Sequence, residues 1–403
     1  MARKSGKPMR RQPLEPHPIA ATSTAMTAFA GRTRRGPLDR PVQVNSAAEF
    51  GAIFGGLWDE SPLSFAVQHF FENGGHTALV ARVAARDATE FTPGSEIGYA
   101  DLVPAGGRDT RQGIYLLEHK PNFDLLVIPP FSWDRDPAPS TWSAAAAYCR
   151  ERRAFLLIDP PVGSASGAVD AVGIGLAALL KSLPQSSAAA QNAAFFYPRV
   201  IVKNPLTETT QPFAPAGAIA GMIARIDAVS GVWTSPAGNA ATIRGAVGLE
   251  RDLTQAELAT LASLGVNSLR TVPPVGVVSW GGRTLQGVDG LSPEWNYVSV
   301  TRLELFVEKS IGEGTRWAVF EPNNERLWSR IRSDVGEFLH ALFRQGAFQG
   351  HTPEDAYFVR CGLDTMTQAD IEQGILNIQV GFAPIRPAEF LILPLRHMTD
   401  LAP

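Results

Sequence analysis

The sequence has few of the residues that usually reveal a chemical or membrane-bound function. Its 403 residues include only two cysteines, Cys149 and Cys361, which excludes a disulfide framework and suits a reducing compartment. No apolar run reaches the roughly 18 residues of a membrane-spanning helix, so direct membrane insertion is not expected. The formal net charge of -3 gives no general case for nucleic-acid binding. Hydrophobic residues make up 45% of the chain, which is enough for a sizeable core.

Catalytic and metal-binding patterns are also missing from the sequence. None of the seven histidines stands at metal-ligand spacing from a cysteine or another histidine. Ser164 lacks the G-x-S-x-G setting of a hydrolase nucleophile. The glycines at Gly281 and Gly282 lack the lysine of a phosphate-binding loop. We therefore expect no enzyme, no cofactor and no metal, with an enzyme based on an α/β region as the open alternative.

The first 18 residues predict an N-terminal arm. They contain five basic residues and four prolines, and no apolar segment of a signal peptide follows them. The charges fit either a solvated, flexible arm or a binding arm. Proline has no backbone N–H for a strand ladder, so these prolines oppose strand formation.

Residues 19–230 predict an α/β region. Short apolar runs alternate with helical segments, a pattern typical of a parallel, doubly wound sheet covered on both faces. The clearest strands are Phe123–Ile128 and Ala154–Ile158, with an alanine-rich helix between them. A further helix is predicted for residues 168–183. Residues 86–112 are polar and rich in glycine and aspartate, which predicts a surface excursion.

Residues 231–393 predict an α+β domain, and residues 394–403 a short C-terminal tail. Thr254 and Thr367 each begin a capping box and therefore a helix. The most regular helix follows Asn323 or Asn324, and its apolar residues recur at offsets of three, four and seven. We also expect a short strand at Trp317–Phe320.

Two features of this domain have two interpretations each. Arg326, Arg330 and Arg332 lie on the polar side of the predicted helix, where they fit either a solvated face with intrahelical partners or a contact with an acidic partner. The last predicted strand either closes the sheet of its own domain or adds to the sheet of a neighbouring subunit. It consists of Glu389, Phe390, Leu391, Ile392 and Leu393.

From residue 231 on, the chain contains seven informative segments: GVWTSPAGN (231–239), IRGAVGLERDLTQAE (243–257), GVNSLRT (265–271), RWAVFEPNNERLW (316–328), RQGAFQGHTPEDAYFVRC (344–361), TMTQADIEQG (365–374) and PAEFLIL (387–393). Taken together and in this order, they resemble the tail sheath proteins of contractile phages and related contractile injection systems. Weaker similarity extends over Ala28–Phe50 and His69–Ala84.

The resemblance implies a structural, non-enzymatic subunit. Such subunits polymerise as stacked six-membered rings around an inner tube, and the sheath contracts to drive the tube through a target envelope. The implied partners are further copies of the chain, the inner tube protein, and baseplate and terminator or cap proteins. Assembly is implied in the bacterial cytoplasm, as part of a phage virion or of a contractile particle. A baseplate or cap-proximal component of the same machine is the alternative.

The resemblance also assigns places to individual residues. The middle domain, about residues 115–230, is expected to be subtilisin-like without protease residues, and the C-terminal domain to face the tube. Arg326, Arg330 and Arg332 are then candidates for the inner-tube contact, and residues 389–393 for an inter-subunit strand. Family members usually have an apolar, alternating N-terminal arm. Here Arg10–Pro18 is basic and proline-rich, which leaves open whether this arm adds a strand to a neighbour and whether the chain is a specialised sheath paralogue.

Overall fold

The computed structural model describes residues 17–85, 96–120, 122–163, 189–288 and 297–385, and the backbone of residues 391–398. The chain divides into two compact units. The body unit is Ser23–Phe306, and the terminal unit combines Met1–Thr22 with Val307–Pro403.

The described strands form one large sheet and one small sheet in the body unit, and one small sheet in the terminal unit. Their bounds are β1 Thr27–Gly31, β2 Val42–Val44, β3 Ala78–Arg82, β4 Leu125–Val127, β5 Phe155–Ile158, β6 Ala193–Tyr197, β7 Val200–Lys203, β8 Thr210–Phe213, β9 Ala246–Leu249, β10 Val266–Val272, β11 Gly276–Ser279, β12 Tyr357–Arg360, β13 Ile375–Phe382 and β14 Leu391–Met398.

The large sheet has eight strands in the order β11-β10-β6-β5-β4-β1-β3-β2. All pairs from β10 to β3 are parallel, and the edge strands β11 and β2 pair antiparallel with their neighbours. The predicted parallel sheet is therefore confirmed. Two of its strands, β10 and β11, follow residue 230, where the sequence pattern changes. The boundary between the compact units lies later, between Phe306 and Val307.

Successive residues of the central strands face two separate cores. In β5, Phe155 and Leu157 belong to one buried cluster, whereas Leu156 and Ile158 belong to the other. Because side chains alternate across a strand, both faces of the sheet are covered. This burial explains why these strands read as continuous apolar runs.

The described α-helices connect and cover the sheets. The predicted capping boxes at Thr254 and Thr367 are confirmed, because each hydroxyl accepts from the N3 amide and each N3 carboxylate accepts from the cap amide. The helix predicted for residues 168–183 lies outside the described residues. The helices are α1 Ala47–Phe54, α2 Pro62–Glu72, α3 Tyr99–Leu102, α4 Gly107–Thr110, α5 Pro139–Glu151, α6 Ala216–Ser230, α7 Gln255–Ser263, α8 Val298–Gly314, α9 Glu325–Arg344, α10 Pro353–Ala356 and α11 Gln368–Glu372.

The strand predicted at Trp317–Phe320 is wrong, because this segment is a 3-10 helix, Arg316–Phe320. Its backbone bonds are local: Ala318 N–H donates to Thr315 O at 3.0 Å, and Glu321 N–H donates to Ala318 O at 3.1 Å. The segment joins α8 to α9 within a few residues, so it turns instead of pairing with a strand.

None of the helices in the described part of the chain is long and apolar enough to cross a membrane.

Candidate assembly surfaces

The terminal unit contains an antiparallel sheet in the order β12-β13-β14. All eight residues of β13 pair with β14, from Ile375 opposite Met398 to Phe382 opposite Leu391. β14 is an edge strand of this sheet, since only β13 pairs with it among the described residues. An open edge presents backbone N–H and C=O groups that can accept another strand.

The predicted last strand overlaps the start of β14. Leu391, Ile392 and Leu393 pair with β13, whereas Glu389 and Phe390 lie outside the described residues. In this structure the strand therefore closes the sheet of its own chain. It also continues to Met398, beyond the predicted end, because Pro394 sits in an edge strand, where a missing N–H is tolerated.

Helix α9 carries the three candidate arginines. Asn324 is its N-cap, and its side-chain oxygen accepts from the amides of Arg326 and Leu327 at 3.0 and 3.3 Å. The predicted apolar stripe is buried as far as Leu342, including Ile331 and Val335 at 0% exposure, and its last residue, Phe343, is half-buried. The stripe fixes which residues of the helix can reach solvent.

Arg330 is held within the terminal unit. Its guanidinium carbon lies 4.8 Å from the centre of the Trp317 ring, a cation–π distance, and Nη1 lies 3.9 Å from a Glu321 oxygen. Only 13% of its side chain is exposed. Arg330 therefore supports the packing of the 3-10 helix against α9 and has little surface to offer a partner.

Arg332 and Arg326 differ in whether their guanidinium groups are bonded within the terminal unit. Arg332 donates to Glu325 Oε1 at 2.6 Å and to the backbone oxygen of Cys361, so it joins the helix to the end of β12. Arg326 is exposed, and its guanidinium forms no ion pair within the described part of the chain. The three arginines thus do not act as one exposed cationic face.

The first described residues pack within the terminal unit. The His17 ring stacks on Trp317 with centroids 4.4 Å apart, and the His17 backbone N–H donates to the buried Asp334 carboxylate. Ile19 packs so closely on Gly314 that a Cβ there would lie 2.8 Å from it. Thr22 N–H donates to Ser310 Oγ at 3.1 Å. The sequence pattern assigned His17 and Pro18 to the N-terminal arm. It could not predict these contacts, because the contacting residues lie about 300 positions further along the chain.

A polar cluster lies at the carboxyl ends of β5 and β6 in the body unit. Arg199, 3% exposed, donates through Nη2 to Asp136 Oδ1 and to Pro160 O, each at 3.1 Å. Asp159 is also buried and accepts from the Ala216 amide at 2.7 Å. Burial raises the pKa of Asp159 to about 7, although the Ala216 bond and the Arg199 charge oppose this rise.

Asp159→Asn is expected to stabilise the protein more at pH 8 than at pH 5. The folded-state pKa of about 7 exceeds the unfolded value of about 3.9, so the wild type loses stability as the pH rises between these values. Asparagine keeps an acceptor for the Ala216 amide without this loss. We expect the free energy of unfolding of the variant, relative to that of the wild type, to increase by roughly 1–3 kcal/mol from pH 5 to pH 8. Urea denaturation at both pH values measures it. The same difference between variant and wild type at pH 5 and pH 8 would contradict the prediction. Asp109→Asn, which changes an exposed carboxylate, serves as the control.

The described residues contain no group of three or more His, Cys, Asp or Glu side chains placed to hold a metal ion. Ser164 lies outside the described part of the chain. In the loop that contains Gly281 and Gly282, Arg283 N–H donates to Asn267 Oδ1 at 2.6 Å, so the loop is tied to strand β10.

Comparison with known families places two matches along the chain. Residues 170–285 match the family model of the phage tail sheath protein central domain, and residues 292–396 match that of the phage tail sheath C-terminal domain. The tail sheath protein of Vibrio phage KVP40 is 32% identical over 125 residues, or 31% of this chain and 18% of that protein. The tail sheath protein of Enterobacteria phage T4 is 32% identical over 179 residues, or 44% and 26%. The matched region thus spans about a quarter or less of these relatives.

Solved structures extend the similarity to the whole chain. A chain of the anti-feeding prophage helical sheath in the contracted state matches with a TM-score of 0.72 at 27% identity, covering 99% of this chain and all of that one. A chain of the anti-feeding prophage baseplate matches with a TM-score of 0.71 at 26% identity, covering all of both chains.

Proposed function

Because the chain belongs to the phage tail sheath protein family, we propose that it is the subunit of a contractile sheath. Its copies polymerise as stacked six-membered rings around an inner tube, and contraction drives the tube through a target envelope. The observation that carries this proposal is the end-to-end similarity to a subunit of a contracted helical sheath, including both compact units.

The energy for contraction would reside in subunit interfaces. A head-to-tail contact that does not close on itself generates a helical filament. Two packings of the same subunit that differ by a few kcal/mol suffice when many copies change together. This mechanism assigns no chemical step to any residue of the chain.

The proposed partners are the inner tube, the baseplate and a terminator or cap protein, with assembly in the bacterial cytoplasm. The alternative of a baseplate or cap-proximal component is not favoured, since both family matches describe domains of the sheath protein itself. We test the proposal by incubating the purified chain with and without its tube protein, followed by high-speed centrifugation. A sheath subunit is expected in the pellet as polymer, and a chain that stays in the supernatant under both conditions would contradict the proposal.

Of the three arginines proposed for the inner-tube contact, Arg326, Arg330 and Arg332, we expect Arg326 to contribute most. Arg326 is exposed, whereas Arg330 packs on Trp317 and Arg332 bonds to Glu325 and Cys361. Arg326→Glu is expected to reduce tube-templated assembly about tenfold, as charge reversal at a polar contact does. It should change the free energy of unfolding by no more than about 0.5 kcal/mol, because the side chain is exposed. Arg330→Glu is expected to destabilise the terminal unit instead, through Trp317.

Tube-templated assembly measured by pelleting, together with thermal unfolding, separates the two effects. Arg40→Glu reverses an exposed arginine of the body unit and is the matched control. Unchanged assembly of Arg326→Glu would refute the contact at that residue.

The inter-subunit strand of residues 389–393 is proposed as an exchange of β14 between copies. Asn377 and Arg396 are register partners across β13 and β14, so cysteines at both positions should form a disulfide. If neighbours exchange the strand, oxidised polymers yield covalent ladders on a non-reducing gel. If each chain keeps its own strand, they yield monomers, which would contradict the exchange. The natural Cys149 and Cys361 are buried and do not interfere.

A further inference from the structure

A cavity of about 350 Å³ opens at the carboxyl ends of the parallel strands in the body unit. Trp133 follows β4, Val162 follows β5 and Arg199 follows β6, and all three line it. The rest of the wall consists of Asp59, Thr207 of the β7–β8 connection, Gln211 and Pro212 of β8, and Glu250, which follows β9. The carboxyl ends of parallel strands are where open α/β sheets bind ligands. The volume is in the range of small-molecule sites.

Two buried polar atoms of the lining residues have no hydrogen-bond partner within the part of the chain that the structure describes. One is Nε of Arg199, a donor on a residue that is 3% exposed, and the other is Oε2 of Glu250, an acceptor. The two atoms do not bond to each other, yet the residues are close enough for the Arg199 charge to oppose the rise of the Glu250 pKa that burial causes. Leaving such atoms unpaired is costly, so the cavity fits a molecule that pairs both.

The required molecule has one acceptor and one donor side by side. A carboxylate suits the Arg199 N–H, and an ammonium group suits the Glu250 carboxylate. The wall formed by Trp133, Val162 and Pro212 would contact an apolar substituent. Within the described residues, no three carboxylate, thiol or imidazole groups converge to hold a metal ion, so a bare cation fits less well.

We propose that this cavity binds a small zwitterion of the α-amino acid class, with its carboxylate on Arg199 and its ammonium group on Glu250. The site lies wholly within the body unit and is independent of the proposed sheath function. In the sequence, Arg199 and Glu250 are 51 positions apart, so no motif joins them.

Saturation-transfer NMR with a mixture of the standard amino acids, each at about 1 mM, tests the proposal on the full-length chain. We expect signals from at least one amino acid with an apolar side chain. Its N-acetyl and amide derivatives should each bind at least about tenfold more weakly, because each removes one charged partner.

The Glu250→Gln variant provides the decisive comparison. The buried Oε2 of Glu250 has no hydrogen-bond partner among the described residues, so the variant should fold. It should weaken amino-acid binding by about tenfold or more. Glu208→Gln removes an exposed carboxylate from the β7–β8 connection and should leave binding unchanged. No signal from any amino acid, or equal binding to the Glu250→Gln variant and the wild type, would overturn the proposal.

Discussion

A chain that ends at Ile385 is expected to lose polymerisation completely. The truncation removes β14 and with it every backbone pair that β13 forms on that side. β13 is largely buried, with Leu376, Val380 and Phe382 at 0% exposure. Its lost ladder would leave polar groups unpaired beside an apolar surface. This expectation holds whether β14 closes its own sheet or that of a neighbour.

Pelleting of the truncated chain in the presence of the tube protein measures this effect. A second truncation after Met398 keeps all of β14 and should polymerise like the full chain. Normal polymerisation of the shorter chain would show that β14 has no part in assembly. Circular dichroism of both chains establishes that the body unit is still folded.

Arg302→Met is expected to lower the free energy of unfolding of the body unit by about 3–5 kcal/mol. Arg302 forms a bidentate pair with Asp227, at 2.9 and 2.5 Å, and both side chains are about 95% buried or more. It also donates to Thr24 O at 2.8 Å. The variant would leave the Asp227 carboxylate buried without its cation. This lowers the free energy of unfolding far more than replacing both members of the pair by apolar residues does.

Urea denaturation of three variants separates these contributions. The Arg302→Met and Asp227→Leu double variant should recover much of the loss, because no buried charge remains. Lys203→Met breaks an exposed pair with Glu208 and should cost no more than about 1 kcal/mol. A loss of less than about 1 kcal/mol for Arg302→Met would contradict the assigned role.

Local signals in the sequence predicted much of the fold. The alternation of apolar runs predicted β4 and β5, and the capping boxes at Thr254 and Thr367 predicted the helices that follow them. These features depend on neighbouring residues and on burial of both faces of a sheet. The segment at Trp317–Phe320 has the composition of a strand but no room to pair, and its composition carries no sign of that restriction.

The candidate surfaces were less predictable, because their geometry depends on residues far apart in the chain. The spacing of Arg326, Arg330 and Arg332 placed them on one helix but gave no sign that Trp317 covers Arg330 or that Arg332 reaches Cys361. The pair between Arg302 and Asp227 likewise joins two helices 75 positions apart. Such contacts follow from the tertiary arrangement and have no local pattern.

Electron microscopy of the purified full-length chain, assembled with its tube protein, tests the central claim most directly. The account predicts hollow tubes built of stacked six-membered rings, wide enough to enclose an inner tube. Discrete monomers or small closed oligomers at every protein concentration and ionic strength tried, from a chain that is folded by circular dichroism, would contradict it.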